Sequence, residues 1–161
     1  MNWQEVVAHP GLQNLPCKIE LNASGQLLIS SPTKVAQSAL QGELAYYLRL
    51  LGAHGKVLTE CAVATPQGTK VADVAWASRA RFAQIRRETE CSIAPEICVE
   101  VFSASNTREE MDEKRALYLA RGAQEFWTCD DVGNINFYDE SGPLAQSVMF
   151  PEFPQQILLE D

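Results

Sequence analysis

The sequence predicts a domain of the α/β or α+β class, a mixed β-sheet flanked by helices. Three observations lead there. Two stretches, 33–52 and 107–121, place apolar residues at helical spacing. Several shorter stretches, among them 56–64, 70–78 and 134–139, read as strands set off by turn residues. A continuous apolar run at 96–102 has the character of a strand covered on both faces. Helices and strands alternating in this way form layered domains rather than bundles or solenoids.

Taken in order, residues 2–8 predict a short helix stopped by Pro10-Gly11. Residues 17–22 and 26–30 predict a hairpin around Ala23-Ser24-Gly25. Ser31-Pro32-Thr33 opens a long helix in which Leu40, Leu44, Tyr47, Leu48 and Leu51 share one face, and Gly52 ends it. Residues 56–64 and 70–78 are two strands joined at Pro66-Gln67-Gly68, followed by a basic helical stretch at 79–88. After the strand at 96–102, Thr107 and Glu110 have the spacing of a capping box, so a second long helix starts there and stops at Gly122. Residues 124–130 and 134–139 form a last hairpin across Asp131-Val132-Gly133.

A chain of 161 residues is expected to make one domain, 1–161, and can bury a core without staples. No apolar run approaches the roughly 20 residues needed to span a bilayer. The N-terminus lacks the basic start and apolar stretch of a secretory signal, which places the protein in the cytoplasm as an expectation. The five cysteines are odd in number, far apart and without a CxxC pair, so buried free thiols are expected rather than a zinc or redox motif. A net charge of −8 gives no global attraction to phosphates, so any nucleic-acid contact must be local, metal-assisted or supplied by a partner. His9 and His54 are isolated, near segment ends, and read as surface residues.

Three polar residues interrupt apolar patterns. Glu100 lies inside Ile97-Cys98-Val99-Glu100-Val101-Phe102, where a glutamate is rarely buried unless it is paired or holds a metal. The plainer alternative is a strand-end glutamate that reaches water. Asp73 interrupts Val71-Ala72-Asp73-Val74-Ala75-Trp76; the alternative is an edge-strand aspartate that discourages pairing. Lys114 falls within the arc that Met111, Leu117 and Tyr118 define on the 107–121 helix. A lysine so placed wants carboxylates nearby, unless it only lays its stem across the core. Two inward carboxylates and an inward lysine would offset one another's burial. They would also compose an oxygen-rich site for magnesium or manganese.

The stretches Val71–Trp76, 95–107 and 113–122, with the tail Glu125-Phe126-Trp127-Thr128-Cys129-Asp130, resemble the Uma-two family of endonucleases. That family belongs to the PD-(D/E)XK superfamily, and the resemblance covers roughly residues 20–140. It implies a restriction-endonuclease-like core. It makes Asp73 the metal-binding aspartate and Glu100 the acid of the (D/E)XK half-motif, with the main-chain carbonyl of Val101 completing the metal shell. Position 102 holds Phe where the superfamily lysine would stand, so the resemblance moves that role to Lys114 on the following helix. Glu43, on the first long helix, resembles an accessory acid of related nucleases; an exposed helix glutamate is the alternative. Ala72 and Ala104 replace prolines usual in the family.

The function expected is metal-dependent hydrolysis of phosphodiester bonds in nucleic acid, DNA before RNA, with magnesium or manganese as cofactor. Arg79, Arg81, Arg86 and Arg87 are the local candidates for phosphate contact, against the alternative of a solvated basic helix. No GxSxG nucleophile motif and no GxxxxGK phosphate loop is present. Nucleases of this fold often pair, so a homodimer is expected, and no membrane contact is. A different class of reading is an interaction module that keeps the nuclease fold with weak catalysis. A third is a hydrolase of small phosphoesters.

Overall fold

The structure is a computed structural model and describes residues 1–160. Its helices are α1 (Trp3–Ala8), α2 (Val35–Leu51), α3 (Arg79–Ile85) and α4 (Arg108–Ala120). The strands are β1 (Ile19–Leu21), β2 (Leu27–Ile29), β3 (Gly55–Thr65), β4 (Gly68–Ser78), β5 (Ile97–Val101), β6 (Glu125–Cys129), β7 (Ile135–Asp139) and β8 (Gly142–Leu144). β1 and β2 form a small separate hairpin, and β3 to β8 form one six-stranded sheet in sequence order. All neighbours in that sheet are antiparallel except β5 and β6, which run parallel because α4 crosses between them. The mixed sheet flanked by helices is the architecture expected from the sequence.

The sheet's two faces bury different cores. On one, α2 lays Leu40, Leu44 and Leu48 against Val74, Trp76, Val99, Val101 and Trp127. Phe150, Phe153 and Ile157 from the C-terminal tail close this core. On the other face Ala75, Ala77, Cys98 and Phe126 pack with Ile85 of α3 and Tyr118 of α4. Strand alternation assigns the site to a face: Asp73 follows Ala75, and Glu100 follows Cys98, so both acids point to the α4 side.

Local chemistry sets the element ends. Thr107 caps α4 by accepting from the Glu110 amide at 3.1 Å. Of the expected capping box only that half forms, because the Glu110 carboxylate accepts instead from the Asn106 side chain at 3.2 Å. Gly68, with φ +90°, turns the two-residue connection between β3 and β4. A side chain there would strike the backbone of Leu21 and Asn22, so its absence lets the β1 hairpin close on the start of β4. α3 ends at Ile85, earlier than the sequence reading. β8, the 3₁₀ turn at Pro10–Leu12 and the packed tail were not anticipated. Among the described residues no helix is long and apolar enough to cross a membrane. All five cysteines are free; four are buried and Cys17 is half-buried.

Candidate active site

β4 and β5 pair through Val74↔Val99, Ala75↔Cys98 and Trp76↔Ile97, and there the ladder stops. Continued by one step, the register sets Asp73 opposite Glu100. The strands diverge at that step, and Asp73 bonds across the gap with its side chain: its Oδ2 accepts from the Val101 amide at 2.8 Å. A donor freed by the end of the ladder is thereby satisfied. β3 is irregular at the same level. Glu60 takes φ +50° and drops out between Thr59↔Val74 and Cys61↔Ala72. Asp73 thus occupies a point where β4 is irregularly paired on both sides, a departure of the kind that marks functional sites.

Around the two acids a network closes. Lys18, just before β1, places its Nζ 3.2 Å from Asp73 Oδ1 and 2.9 Å from Glu100 Oε2. Lys114 of α4 places its Nζ 3.2 Å from Glu100 Oε1 and 2.9 Å from Glu20 Oε2. Tyr118, one turn on from Lys114, donates its hydroxyl to Glu100 Oε1 at 2.9 Å. Glu20 also accepts from the Val71 amide at 2.7 Å, which ties β1 to β4. Glu100 is 2% exposed, Glu20 6% and Asp73 7%. Three buried carboxylates therefore face two ammonium groups.

The charges divide unequally. Burial pushes Asp73 up, and the neighbouring Glu100 charge pushes it further. Lys18 and the Val101 amide pull it down without prevailing, and it comes to about 7. Burial also pushes Glu100 up, but Lys114 and then Lys18 overcome it and hold it at about 2. Burial opposes the charge on Lys18, yet Glu100, Asp73 and Glu20 raise it above its ordinary value, so its ammonium persists. Burial first, and the Glu100 charge next, drive the Tyr118 phenol well up, so it stays a hydrogen-bond donor. A carboxylate pair split this way titrates as a unit, one member ionised and the other near neutrality.

Glu100 is enclosed and does not reach water. β4 lies between β3 and β5, so Asp73 is not on an edge. Lys114 meets two carboxylates rather than only laying its stem over the core. Glu43 is a correction. Its helix, α2, covers the opposite face of the sheet, and Glu43 is exposed there with no side-chain partner among the described residues. Arg81 is a second. Its guanidinium donates to the carbonyls of Ala94 and Gly122, tying α3 to the loop and to the end of α4. Arg79, Arg86 and Arg87 are exposed. His9 and His54 are both exposed, and His54 packs on Trp76 with ring centroids 5.1 Å apart.

Lys18, Glu20 and Tyr118 were not picked out as site residues from the sequence. The signal for the first two was the alternation Lys18-Ile19-Glu20-Leu21, two opposite charges on one face of a short strand. For Tyr118 it was its place one helical turn after Lys114.

Asp73 and Glu100 suit an oxygen-seeking divalent ion in their chemistry. Two buried carboxylates already converge on one cationic nitrogen, and the Val101 main chain lies against Asp73. Among the described residues no group of three or more His, Cys, Asp or Glu side chains gathers as a metal cage. A divalent ion held by only two carboxylates and a main-chain carbonyl would keep part of its water, which suits magnesium more than an ion that needs an all-protein cage.

The architecture, a six-stranded mixed sheet flanked by helices, is that of a nuclease-like fold. The chain belongs to the Uma2 family, described as "Putative restriction endonuclease", which it matches over residues 3–159. Among solved structures it resembles "a putative nuclease belonging to DUF820" from Anabaena variabilis ATCC 29413. The TM-score is 0.68 at 18% identity, over 96% of this chain and 82% of that one. At that identity the likeness speaks for the fold. No curated protein matches the chain.

Proposed function

We propose that this protein is a divalent-metal-dependent nuclease that hydrolyses phosphodiester bonds of nucleic acid, with DNA the expected substrate. Asp73, Glu100 and the Val101 carbonyl would hold magnesium or manganese. The observation that carries this reading is the convergence of Asp73 Oδ1 and Glu100 Oε2 on one nitrogen, Lys18 Nζ, at the splayed end of β4 and β5. Membership of a family described as "Putative restriction endonuclease" supports it.

Such an ion, when bound, polarises the scissile phosphate and lowers the pKa of a bound water. The protein's own groups do the rest. The Val101 amide fixes the direction of Asp73 through Oδ2 and leaves Oδ1 facing Glu100. The Tyr118 hydroxyl and Lys114 hold Glu100 by Oε1, and the charges of Lys114 and Lys18 keep it ionised. Lys114 is half-buried, so its ammonium acts with little screening on negative charge developing nearby. No covalent intermediate is required.

A nuclease assay over single- and double-stranded DNA and RNA, with magnesium, with manganese and with EDTA, tests the reading. Cleavage that needs the ion and is lost in Asp73→Ala and Glu100→Ala is expected. A second reading is an interaction module that keeps the nuclease fold. The observation favouring it is that the two lysines already pair all three carboxylates, so the network can stand as a structural one. That module would bind its partner equally well in EDTA and would cleave nothing.

A further inference from the structure

The two lysines of the network are not equivalent, and the difference lies in which oxygens they hold. Asp73 gives Oδ2 to the Val101 amide and Oδ1 to Lys18. Glu100 gives Oε1 to Tyr118 and Lys114, and Oε2 to Lys18. Each carboxylate thus has one oxygen anchored to the scaffold and one that faces the same ammonium, and the two carboxyl groups also meet each other. The oxygens that can bridge to a shared ion without breaking an anchor are Asp73 Oδ1 and Glu100 Oε2, the two that Lys18 occupies.

We infer that Lys18 fills the seat of the divalent ion and exchanges with it, so that the ion enters only as the Lys18 ammonium leaves. This deepens the proposed function and rests on its metal site. The two occupants exclude each other by size and by charge. Direct oxygen ligands of magnesium lie at about 2.0–2.1 Å, inside the 2.9 and 3.2 Å at which Lys18 holds the same atoms. An ammonium in contact with an ion at such a seat would also face strong like-charge repulsion.

The exchange needs no unfolding. Lys18 has the most exposed side chain of the five charged groups, 19% against 13% for Lys114. Its backbone is pinned in the hairpin, where its carbonyl accepts from the Ser30 amide at 2.9 Å, so the side chain alone must swing. Lys114 is differently placed. It bridges Glu20 and Glu100, and its loss would open the β1–α4 contact without clearing the space between Asp73 and Glu100. Charge accounting agrees: a divalent ion beside Lys114 neutralises the three carboxylates, and the released ammonium is left at the mouth of the site.

The test is manganese binding to the full, metal-free chain at pH 8, followed by calorimetry, in the native protein, Lys18→Met and Lys114→Met. Thermal melting in EDTA checks that each variant folds. Removing an internal occupant raises apparent affinity by the inverse of the fraction of time the seat is open, so Lys18→Met should bind at least about tenfold more tightly. Lys114→Met should not show that gain. An affinity unchanged or weakened in Lys18→Met, or a gain equal in both variants, overturns the exchange while leaving the metal site standing. Absence of binding in all three proteins overturns the metal site, and the exchange with it. Should Lys18→Met fail to fold, the lysine ammonium resonances of the native protein decide the matter during a magnesium titration. The Lys18 signal should leave its ion-paired position while that of Lys114 stays; a Lys18 signal that stays overturns the exchange.

Discussion

Asp73 and Glu100 stand next to each other and feel opposite net effects, which makes them separable by pH. Asp73 is raised to about 7 from an ordinary value of 3.8. The folded state therefore holds its proton more tightly than the unfolded chain. That contribution is fully present below 3.8 and is lost as pH rises through about 7. A shift of this size corresponds to at most on the order of 4 kcal/mol. Glu100, lowered from 4.5 to about 2, works the other way: its stabilisation is present above 4.5 and lost as pH falls toward 2. Asp73→Asn should flatten the fall in stability between pH 4 and 7 and leave the acid limb in place. Urea denaturation of the metal-free protein across that range measures it; an unchanged slope in the variant means that another group titrates there. Lys114→Met should lower cleavage by about 10²-fold or more, the scale for losing one electrostatic contributor. Because it leaves Glu20 and Glu100 short of a partner, it should also cost about 3–5 kcal/mol of stability. Arg115, which packs over the Tyr138 ring at 4.9 Å, is the matched control. Equal small effects of Lys114→Met and Arg115→Met on cleavage would remove Lys114 from the reaction.

At the scale of elements, the long ones were readable because their patterns are redundant. α2 repeats its leucines over several turns, and β3 and β4 run 11 residues each. β1 has three residues, too short for its alternation to set Glu20 apart from an ordinary surface strand. β8 is Gly-Pro-Leu, whose proline argues against a strand and is tolerated here at the sheet's edge. Phe150, Phe153 and Ile157 enter the core from a segment with no helix or strand, which periodicity does not detect. Glu43 failed for a related reason. It was carried over by resemblance alone, and a single sequence does not say which face of a sheet a helix will cover. The separate β1 hairpin is held to the sheet in part by Glu20, through Val71 and Lys114. Glu20→Gln keeps an acceptor for the amide and loses the ion pair. It should destabilise by about 1–3 kcal/mol, and amide exchange should quicken in β1 and β2 before it does in β5. Uniform quickening would mean that the hairpin does not open as its own unit.

For the molecule as a whole, a charge of −8 must be reconciled with a polyanionic substrate. Local cations are few: Lys18 and Lys114 are already paired with the three buried carboxylates, and Arg79, Arg86 and Arg87 are exposed on and just after α3. Binding of nucleic acid in EDTA should be weak and should fall steeply with salt, since phosphate contacts release counterions. Tight binding in EDTA at high salt would require a different surface from the one described. The proposed function rests on one divalent ion shared by Asp73 and Glu100. Anomalous diffraction from crystals soaked in manganese addresses it most directly. The account predicts one strong peak between the two side chains, within about 2.0–2.6 Å of an oxygen of each. A peak bound to neither carboxylate, or none between them at saturating manganese, would contradict it.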